Sequence, residues 1–184
     1  GIFISQFPYI VDLLKENQFD TIYHEHLSYF SIKSLLILTE GTEMEIFDIE
    51  HSELDGGSVK VYWKKKSNTM QVVKAININR FLREEERIGL YDDKIYNDFS
   101  KRVIELKKSV KKELLSLRIR KKKIVGYGAA AKGNIMMNYF GIFSNPRGVY
   151  AVSDDFEGKE IKSEIIKERL KDLIEGSVEM AEKL

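Results

Sequence analysis

The first part of the chain has the pattern of a short strand followed by two helices. GIFISQF is an apolar run of strand length, and Pro8 suits the start of a helix through YIVDLLKEN. Ser31 is a suitable N-cap for a helix through IKSLLILTEG, which Gly41 would end. We therefore predict a buried strand, a helix, a connection and a second helix.

Two strands are predicted next. MEIFDIEH and GSVKVYWKKK contain β-branched and aromatic residues at the density of strands. The stretch SELDGG between them is typical of a turn, with Gly56 and Gly57 at its end. Strands joined by so short a connection should pair antiparallel.

The pattern changes to a helical period from residue 67. A first amphipathic helix is predicted by five apolar residues: Val72, Val73, Ile76, Phe81 and Leu82. After a break at GLYDDK, a longer helix is predicted by apolar residues at steps of three and four: Phe99, Val103, Leu106, Val110, Leu114 and Leu117. Its polar side is basic, with eleven Lys or Arg and two acids from Lys101 to Lys123. We interpret this side as a solvated face, and a surface for phosphates or anionic lipid is the alternative.

The last part is predicted to form a βαβ unit. KIVGYG has the pattern of a strand that ends in a glycine turn, AAAKGNIMMNYF is helical, and GVYAVSDD is a second strand that should lie parallel to the first. A charged helix, KEIKSEIIKERLKDLIEG, follows. The predicted fold class is α/β, with domains at residues 1–66, 67–120 and 121–184.

Composition narrows the class of protein. The chain has 184 residues, 43% of them hydrophobic, and 30 Lys or Arg balance 29 Asp or Glu. Cysteine is absent, which excludes disulfide frameworks, cysteine nucleophiles and thiolate metal sites. No apolar run is long enough to span a bilayer, and the N-terminus lacks the basic region of a signal peptide. We expect a cytoplasmic protein that binds neither nucleic acid nor membrane, and we interpret Gly1 as a cut point inside a longer protein.

The segment FDTIYHEHLSYFS concentrates titratable side chains. Tyr23, His24, Glu25 and His26 are consecutive, and the chain has only three histidines. Histidine is a general base near neutral pH, glutamate can orient it, and tyrosine can donate a hydrogen bond to an oxyanion. We therefore predict a proton-transfer site. A hydrogen-bonded loop without chemistry is one alternative, and two histidines that share a metal ion with a carboxylate is a weaker one.

The stretch VGYGAAAKGN combines a strand, a glycine turn and a helix start. Backbone N–H groups at such a helix start bind anions. The candidate contacts with substrate are Gly126, Tyr127, Gly128, Lys132, Gly133 and Asn134. Neither the dinucleotide pattern G-x-G-x-x-G nor the P-loop pattern is met. A tight turn that needs glycine only for packing is an equal alternative.

Taken together, YHEH, GGSVKVY and YGAAAKGN…NYFGI resemble the sugar C-methyltransferases, which use S-adenosylmethionine to methylate nucleotide-linked keto-sugars. The resemblance extends from about residue 1 to 150. It implies the end of a class I methyltransferase sheet, a helical linker and a C-terminal Rossmann-like βαβ subdomain. It also implies that Tyr23, His24, Glu25 and His26 are catalytic, with His26 as the base. A nucleotide-diphosphate sugar would be the substrate.

The sequence departs from that family in identifiable places. The glycine-rich cofactor loop and the upstream zinc-binding segment of the family are absent, and Asp55 stands where the family usually has histidine. We therefore expect a C-terminal half that needs the N-terminal methyltransferase half of the same protein and does not bind S-adenosylmethionine alone, with no metal of its own. The alternatives are a non-catalytic nucleotide- or phosphate-binding module and a small metal-dependent enzyme.

Overall fold

The structure is a computed structural model that describes residues 1–122, 124, 131–144 and 150–152. It is a mixed α/β fold, as predicted. The elements in chain order are β1 (Ile2–Pro8), α1 (Ile10–Lys15), α2 (Ile32–Leu38), β2 (Met44–Ser52), β3 (Ser58–Lys65), α3 (Ala75–Arg87), α4 (Asp93–Ile119), α5 (Ala131–Phe140), β4 (Ile142–Ser144) and β5 (Tyr150–Val152).

A three-stranded antiparallel sheet forms the first part of the fold. Its strand order is β1-β3-β2, so β3 lies in the middle and pairs with both neighbours. The predicted antiparallel pairing of the two consecutive strands is confirmed, and a single 3-10 turn, Leu54–Gly56, occupies most of the connection. The chain's one tryptophan, Trp63, joins β3 to β1, because its Nε1 donates to the Ser5 Oγ at 2.8 Å.

Strand β1 corrects two of the predictions. It is a strand, but it is not buried: Phe3 is 58% exposed, and Ile2 and Ile4 are about as open. Pro8 is the last residue of β1 rather than the first of a helix, and α1 begins at Ile10. Proline is tolerated there because a strand end has no need of its missing N–H.

The start of α2 follows the predicted capping chemistry. The Ser31 Oγ accepts from the Ser34 backbone N–H at 3.0 Å, and the Ser34 Oγ accepts from the Ser31 N–H at 3.1 Å. This reciprocal pair is a capping box with serine in place of the usual glutamate. The helix ends at Leu38, and Gly41 then turns the chain with a φ of +73°.

The core lies between the sheet and the helices α1 to α4. Its least exposed apolar residues come from β2, β3, α1, α2, α4 and the turn before α4, and α3 adds Ile78 and Phe81: Leu14, Ile32, Ile49, Val59, Val61, Leu90, Phe99 and Val103. Burying one such side chain contributes about 1.5–3 kcal/mol relative to leaving it in water. Helices α3 and α4 are therefore part of the same packed unit as the sheet.

The first helix of the middle region begins later than its pattern predicted. Val72 and Val73 precede α3, and Val72 is 79% exposed. Ile76 lies within α3 but faces solvent, whereas Ile78 and Phe81 are buried. The buried stripe thus starts at Ile78. Val72 and Val73 precede the helix, in a segment that the hydrogen bond from the Lys74 N–H to the Phe47 carbonyl joins to β2.

The predicted βαβ unit falls largely outside the described residues. Its first strand and glycine turn lie outside the described residues, apart from Ile124, and its helix corresponds to α5. Part of the predicted second strand is β5, which pairs antiparallel with β4, a strand that the sequence pattern did not predict. None of the described helices is long and apolar enough to cross a membrane.

Candidate functional site

The segment that contains Tyr23 to His26 is a loop held at its base by hydrogen bonds. It leaves a short 3-10 turn, Phe19–Thr21, and ends at the cap of α2. The Thr21 hydroxyl donates to the Gln18 carbonyl at 2.8 Å, and the Tyr29 hydroxyl donates to the Thr21 carbonyl at 2.7 Å. Tyr29 is only 3% exposed, so its hydrogen bond to Thr21 joins the two ends of the loop inside the protein.

His26 lies between two tyrosine rings. The ring centroid of Tyr23 is 5.0 Å away in an edge-on arrangement, and the ring of Tyr29 is 6.1 Å away and nearly parallel. The loop turns on itself here, since the His26 N–H donates to the Tyr23 carbonyl at 3.0 Å. His26 is half-buried, whereas His24 is exposed. The structure therefore distinguishes the two histidines, and His26 is the one with a fixed environment.

Glu25 contacts the tyrosine of the segment rather than a histidine. The Tyr23 hydroxyl donates to the Glu25 Oε2 at 3.1 Å. Desolvation first, and then this hydrogen bond and the negative charge of Glu25, raise the pKa of Tyr23 above its usual value. A tyrosine is a neutral hydroxyl at physiological pH even at its usual pKa, and this shift moves Tyr23 further from ionisation, so it has the form that can donate to an oxyanion.

Helix α5 packs against the base of this loop. The Phe19 ring lies 5.2 Å from the Tyr139 ring and 5.5 Å from the Phe140 ring, centroid to centroid. The structure thereby brings together two motifs that are more than a hundred residues apart in sequence. Aromatic clusters of this kind bury large apolar areas and fix the elements that carry them.

The predicted substrate contacts are only partly described. Lys132, Gly133 and Asn134 lie in the first turn of α5, where Lys132 is half-buried and Asn134 is exposed. The Asn138 side chain donates to the Asn134 carbonyl at 2.8 Å. Gly126, Tyr127 and Gly128 lie outside the described residues. The roles of all six stay predictions.

The Gly-Gly turn between β2 and β3 lies beside a histidine–aspartate pair that the sequence did not predict. His51 Nε2 and Asp12 Oδ2 lie 2.8 Å apart, and His51 Nδ1 is 3.7 Å from Glu53. Gly57 has a φ of +119°, and a Cβ there would lie 2.4 Å from the Asp12 carboxylate. One signal for Asp12 was present in the sequence. It is an acidic residue among the apolar residues of α1, which are buried in the structure.

A metal ion shared by His24, His26 and a carboxylate was the weaker alternative for the Tyr23–His26 loop. His51, the third histidine, is paired with Asp12. In the described part of the chain, no three or more His, Cys, Asp or Glu side chains are grouped so that they could hold a metal ion.

Comparison with known proteins gives the family. The model of the C-methyltransferase C-terminal domain family matches residues 53–162. The C-methyltransferase NovU of Streptomyces niveus is 33% identical over 142 residues, a match that covers 77% of this chain and 33% of NovU. The chain thus spans about a third of the length of that relative. The family match includes the Gly-Gly turn, α3, α4 and α5 and begins after the Tyr23–His26 loop. This chain belongs to the C-methyltransferase C-terminal domain family.

Proposed function

We propose that this chain is the substrate-binding and catalytic portion of an S-adenosylmethionine-dependent C-methyltransferase that acts on a nucleotide-linked keto-sugar. The observation that carries the proposal is the position of His26, half-buried between Tyr23 and Tyr29 on a pinned loop. A C-methyltransferase needs a base for a carbon-bound proton, and His26 has the chemistry and the fixed environment of such a base.

In the proposed reaction, a neutral His26 imidazole removes the proton from the carbon next to the sugar ketone. The C–H bond breaks, the proton moves to the imidazole nitrogen, and the electron pair is delocalised onto the ketone oxygen as an enolate. The Tyr23 hydroxyl has a single proton, which it donates to Glu25 in this structure, and in the proposed reaction it turns from Glu25 to donate to that oxygen. The enolate carbon is then the atom that accepts a methyl group.

We expect that this chain alone does not hold S-adenosylmethionine, because its sequence lacks the glycine-rich loop with which the family it resembles holds that cofactor. Strand β1 offers an apolar, exposed edge next to β3. We propose that this edge pairs with the N-terminal methyltransferase half, which would continue the sheet as in class I methyltransferases. The Rossmann-like assignment of the last part belongs to the same proposal.

The test is His26→Ala in the complete enzyme, with His24→Ala as the matched control. Loss of a general base typically lowers rate about 10²–10⁴-fold, whereas His24, which is exposed, should matter less. Exchange of the sugar proton with solvent deuterium measures proton removal without methyl transfer. We expect His26→Ala to slow this exchange while the nucleotide sugar still binds. Unchanged exchange would mean that the base is another group.

Binding separates this function from the alternative of a phosphate-binding module. Calorimetric titration of the complete enzyme with a nucleotide-diphosphate sugar and with the bare nucleotide gives the two affinities. The proposed enzyme needs contacts with the sugar, so it should bind the nucleotide sugar more tightly. Equal affinities would favour the module.

A further inference from the structure

Glu85, on α3, is a fully buried carboxylate with four hydrogen-bond donors around it. Its Oε1 accepts from the Tyr9 hydroxyl at 3.0 Å and from the Ile32 backbone N–H at 2.5 Å. Its Oε2 accepts from the Tyr91 hydroxyl at 2.7 Å and from the Lys33 N–H at 3.2 Å. Four donors and no acceptor match a carboxylate, which can only accept hydrogen bonds. A buried charge is tolerated only when it is satisfied in this way.

The two backbone donors are the first two residues of α2. The first N–H groups of a helix have no partner within the helix, and a buried helix start must find partners elsewhere. The Ser31 hydroxyl accepts from the Ser34 N–H. Glu85 accepts from the N–H groups of Ile32 and Lys33. The start of α2 is therefore completed by a side chain that is more than fifty residues away in sequence.

The start of α2 is also the end of the Tyr23–His26 loop. Tyr29, which stacks on His26, lies only two residues before the Ser31 cap. A change in where α2 begins would move Ser31, and with it the Tyr29 ring and its bond to the Thr21 carbonyl. Glu85 thus fixes one side of the environment of His26 without touching it.

We propose that Glu85 is a positioning residue, through which the C-terminal domain of this family sets the geometry of the Tyr23–His26 loop. Glu85 lies within the matched family region, whereas the loop and α2 precede that region. In this assignment α3 does more than connect neighbouring elements. Its Glu85 carboxylate accepts from the first N–H groups of α2, the helix that follows the loop. The assignment rests on the proposed function only in treating the loop as catalytic.

The sequence carried a signal for this residue. Glu85 is four residues after Phe81 and seven after Ile78, so it lies on the apolar stripe of α3. A glutamate on such a stripe must find several donors, because its burial is otherwise strongly unfavourable. Burial and the charge and hydrogen bond of Glu85 also raise the pKa values of Tyr9 and Tyr91 well above their usual range, which keeps both as donors.

The test uses the imidazole proton resonances of this chain, which has only three histidines. Single His24→Gln and His26→Gln variants assign the three signals. Ile32 and Lys33 donate to different oxygens of Glu85, and glutamine replaces one of these oxygens by an NH2 donor, so one of the two N–H groups would then face a donor. We expect Glu85→Gln to shift the His26 signal, because its ring currents from Tyr23 and Tyr29 change.

Two controls make the result specific. Glu86→Gln changes an exposed neighbour on the same helix and should leave all three signals in place. The His51 signal reports on the Asp12 pair at the Gly-Gly turn and should not move in Glu85→Gln. A Glu85 that only stabilised the fold would lower the unfolding free energy but leave His26 unchanged in the folded protein.

An unmoved His26 signal in folded Glu85→Gln, or equal shifts of all three histidines, would overturn the proposal. If Glu85→Gln does not fold, Glu85→Asp carries the same test, because it keeps the charge but withdraws it by one methylene. Tyr9→Phe removes one hydroxyl donor from Glu85, keeps both backbone bonds and should leave His26 in place. None of these measurements needs substrate, so their outcome is independent of whether His26 is the base.

Discussion

Two adjacent glutamates on α3 show how strongly the surroundings decide what a residue does. Glu85 is enclosed by donors, whereas Glu84 lies at the surface between two cations. The Arg87 guanidinium donates to Glu84 at 2.7 and 2.8 Å, and the Lys15 ammonium contacts it from α1. These hydrogen bonds, first from Arg87 and then from Lys15, lower the pKa of Glu84 from its usual 4.5 to about 2. Glu84 therefore ties α1 to α3 in its ionised form.

This pKa gives a prediction for the pH dependence of stability. A carboxyl group whose pKa is lowered by folding stabilises the folded state above its unfolded pKa, and the contribution is lost as pH falls through the folded pKa. Glu84→Gln should therefore cost about 1 kcal/mol at pH 7, a value reduced by solvent screening. The difference from the unmodified chain should disappear between about pH 4.5 and pH 2. Urea denaturation across this range measures it, and a difference that persists at the acid end would contradict the assignment.

At the level of single residues, the sequence predicted the local chemical role of a residue better than its contacts with distant residues. Ser31 was predicted as a cap because its chemistry acts over three residues, and the structure confirms it. The proposed catalytic role of His26 also came from residue chemistry and the resemblance, and it stays a prediction. The partners of Glu85, Asp12 and His51 could not be predicted, because each lies tens of residues away along the chain and depends on how the elements pack.

At the level of elements, the Gly-Gly turn joins the β2–β3 hairpin to α1. Asp12 approaches the backbone of Gly57 closely, and the Gln18 side chain donates to the Gly56 carbonyl at 2.5 Å. Glycine is needed at position 57 for two reasons, since its φ is positive and its Cβ position is filled by the Asp12 carboxylate.

Gly57→Ala should therefore be much more damaging than alanine at another turn. We expect a loss of about 3 kcal/mol, because both the strained φ and the collision with Asp12 must be relieved. Gly41→Ala is the matched control: its φ is +73°, but nothing lies within 4 Å of the added carbon. It should cost about 1 kcal/mol. Thermal denaturation of both variants decides, and equal losses would show that the Asp12 contact is unimportant.

Element prediction succeeded where residue types and a short connection agreed. The hairpin was predicted because β2 and β3 contain β-branched and aromatic residues at the density of strands and are separated by a short turn. The start of α3 was wrong because Val72, Val73 and Ile76 are apolar without being buried, so their spacing carried no helical information. The burial of β1 was wrong for the same reason: apolar composition alone does not say which surface covers it.

At the level of the whole molecule, β1 is an uncovered edge. Ile2 and Ile4 are about half exposed, and the strand pairs on one side with β3. Exposed apolar edge strands recruit other strands. We expect this chain to self-associate as its concentration rises from micromolar to millimolar.

Lysine substitutions on β1 test this directly. The double variant Ile2→Lys, Ile4→Lys should sediment as a monomer under conditions in which the unmodified chain associates, because lysine side chains on an edge strand oppose pairing with another strand. Val72→Lys, which removes an exposed apolar side chain away from the sheet, should associate like the unmodified chain. If the unmodified chain stays monomeric at high concentration, β1 does not cause self-association.

The position of Trp63 gives this edge an optical signal of its own. The indole is the chain's only one, its N–H is bound to Ser5 on β1, and the Phe3 ring lies 6.4 Å from it. Indole emission moves to shorter wavelength when water is removed from its surroundings. The indole is 9% exposed, so docking of a partner strand that covers Phe3 and the open edge of the indole should appear as a small blue shift in intrinsic fluorescence, and assembly at this edge can be followed in real time without a label.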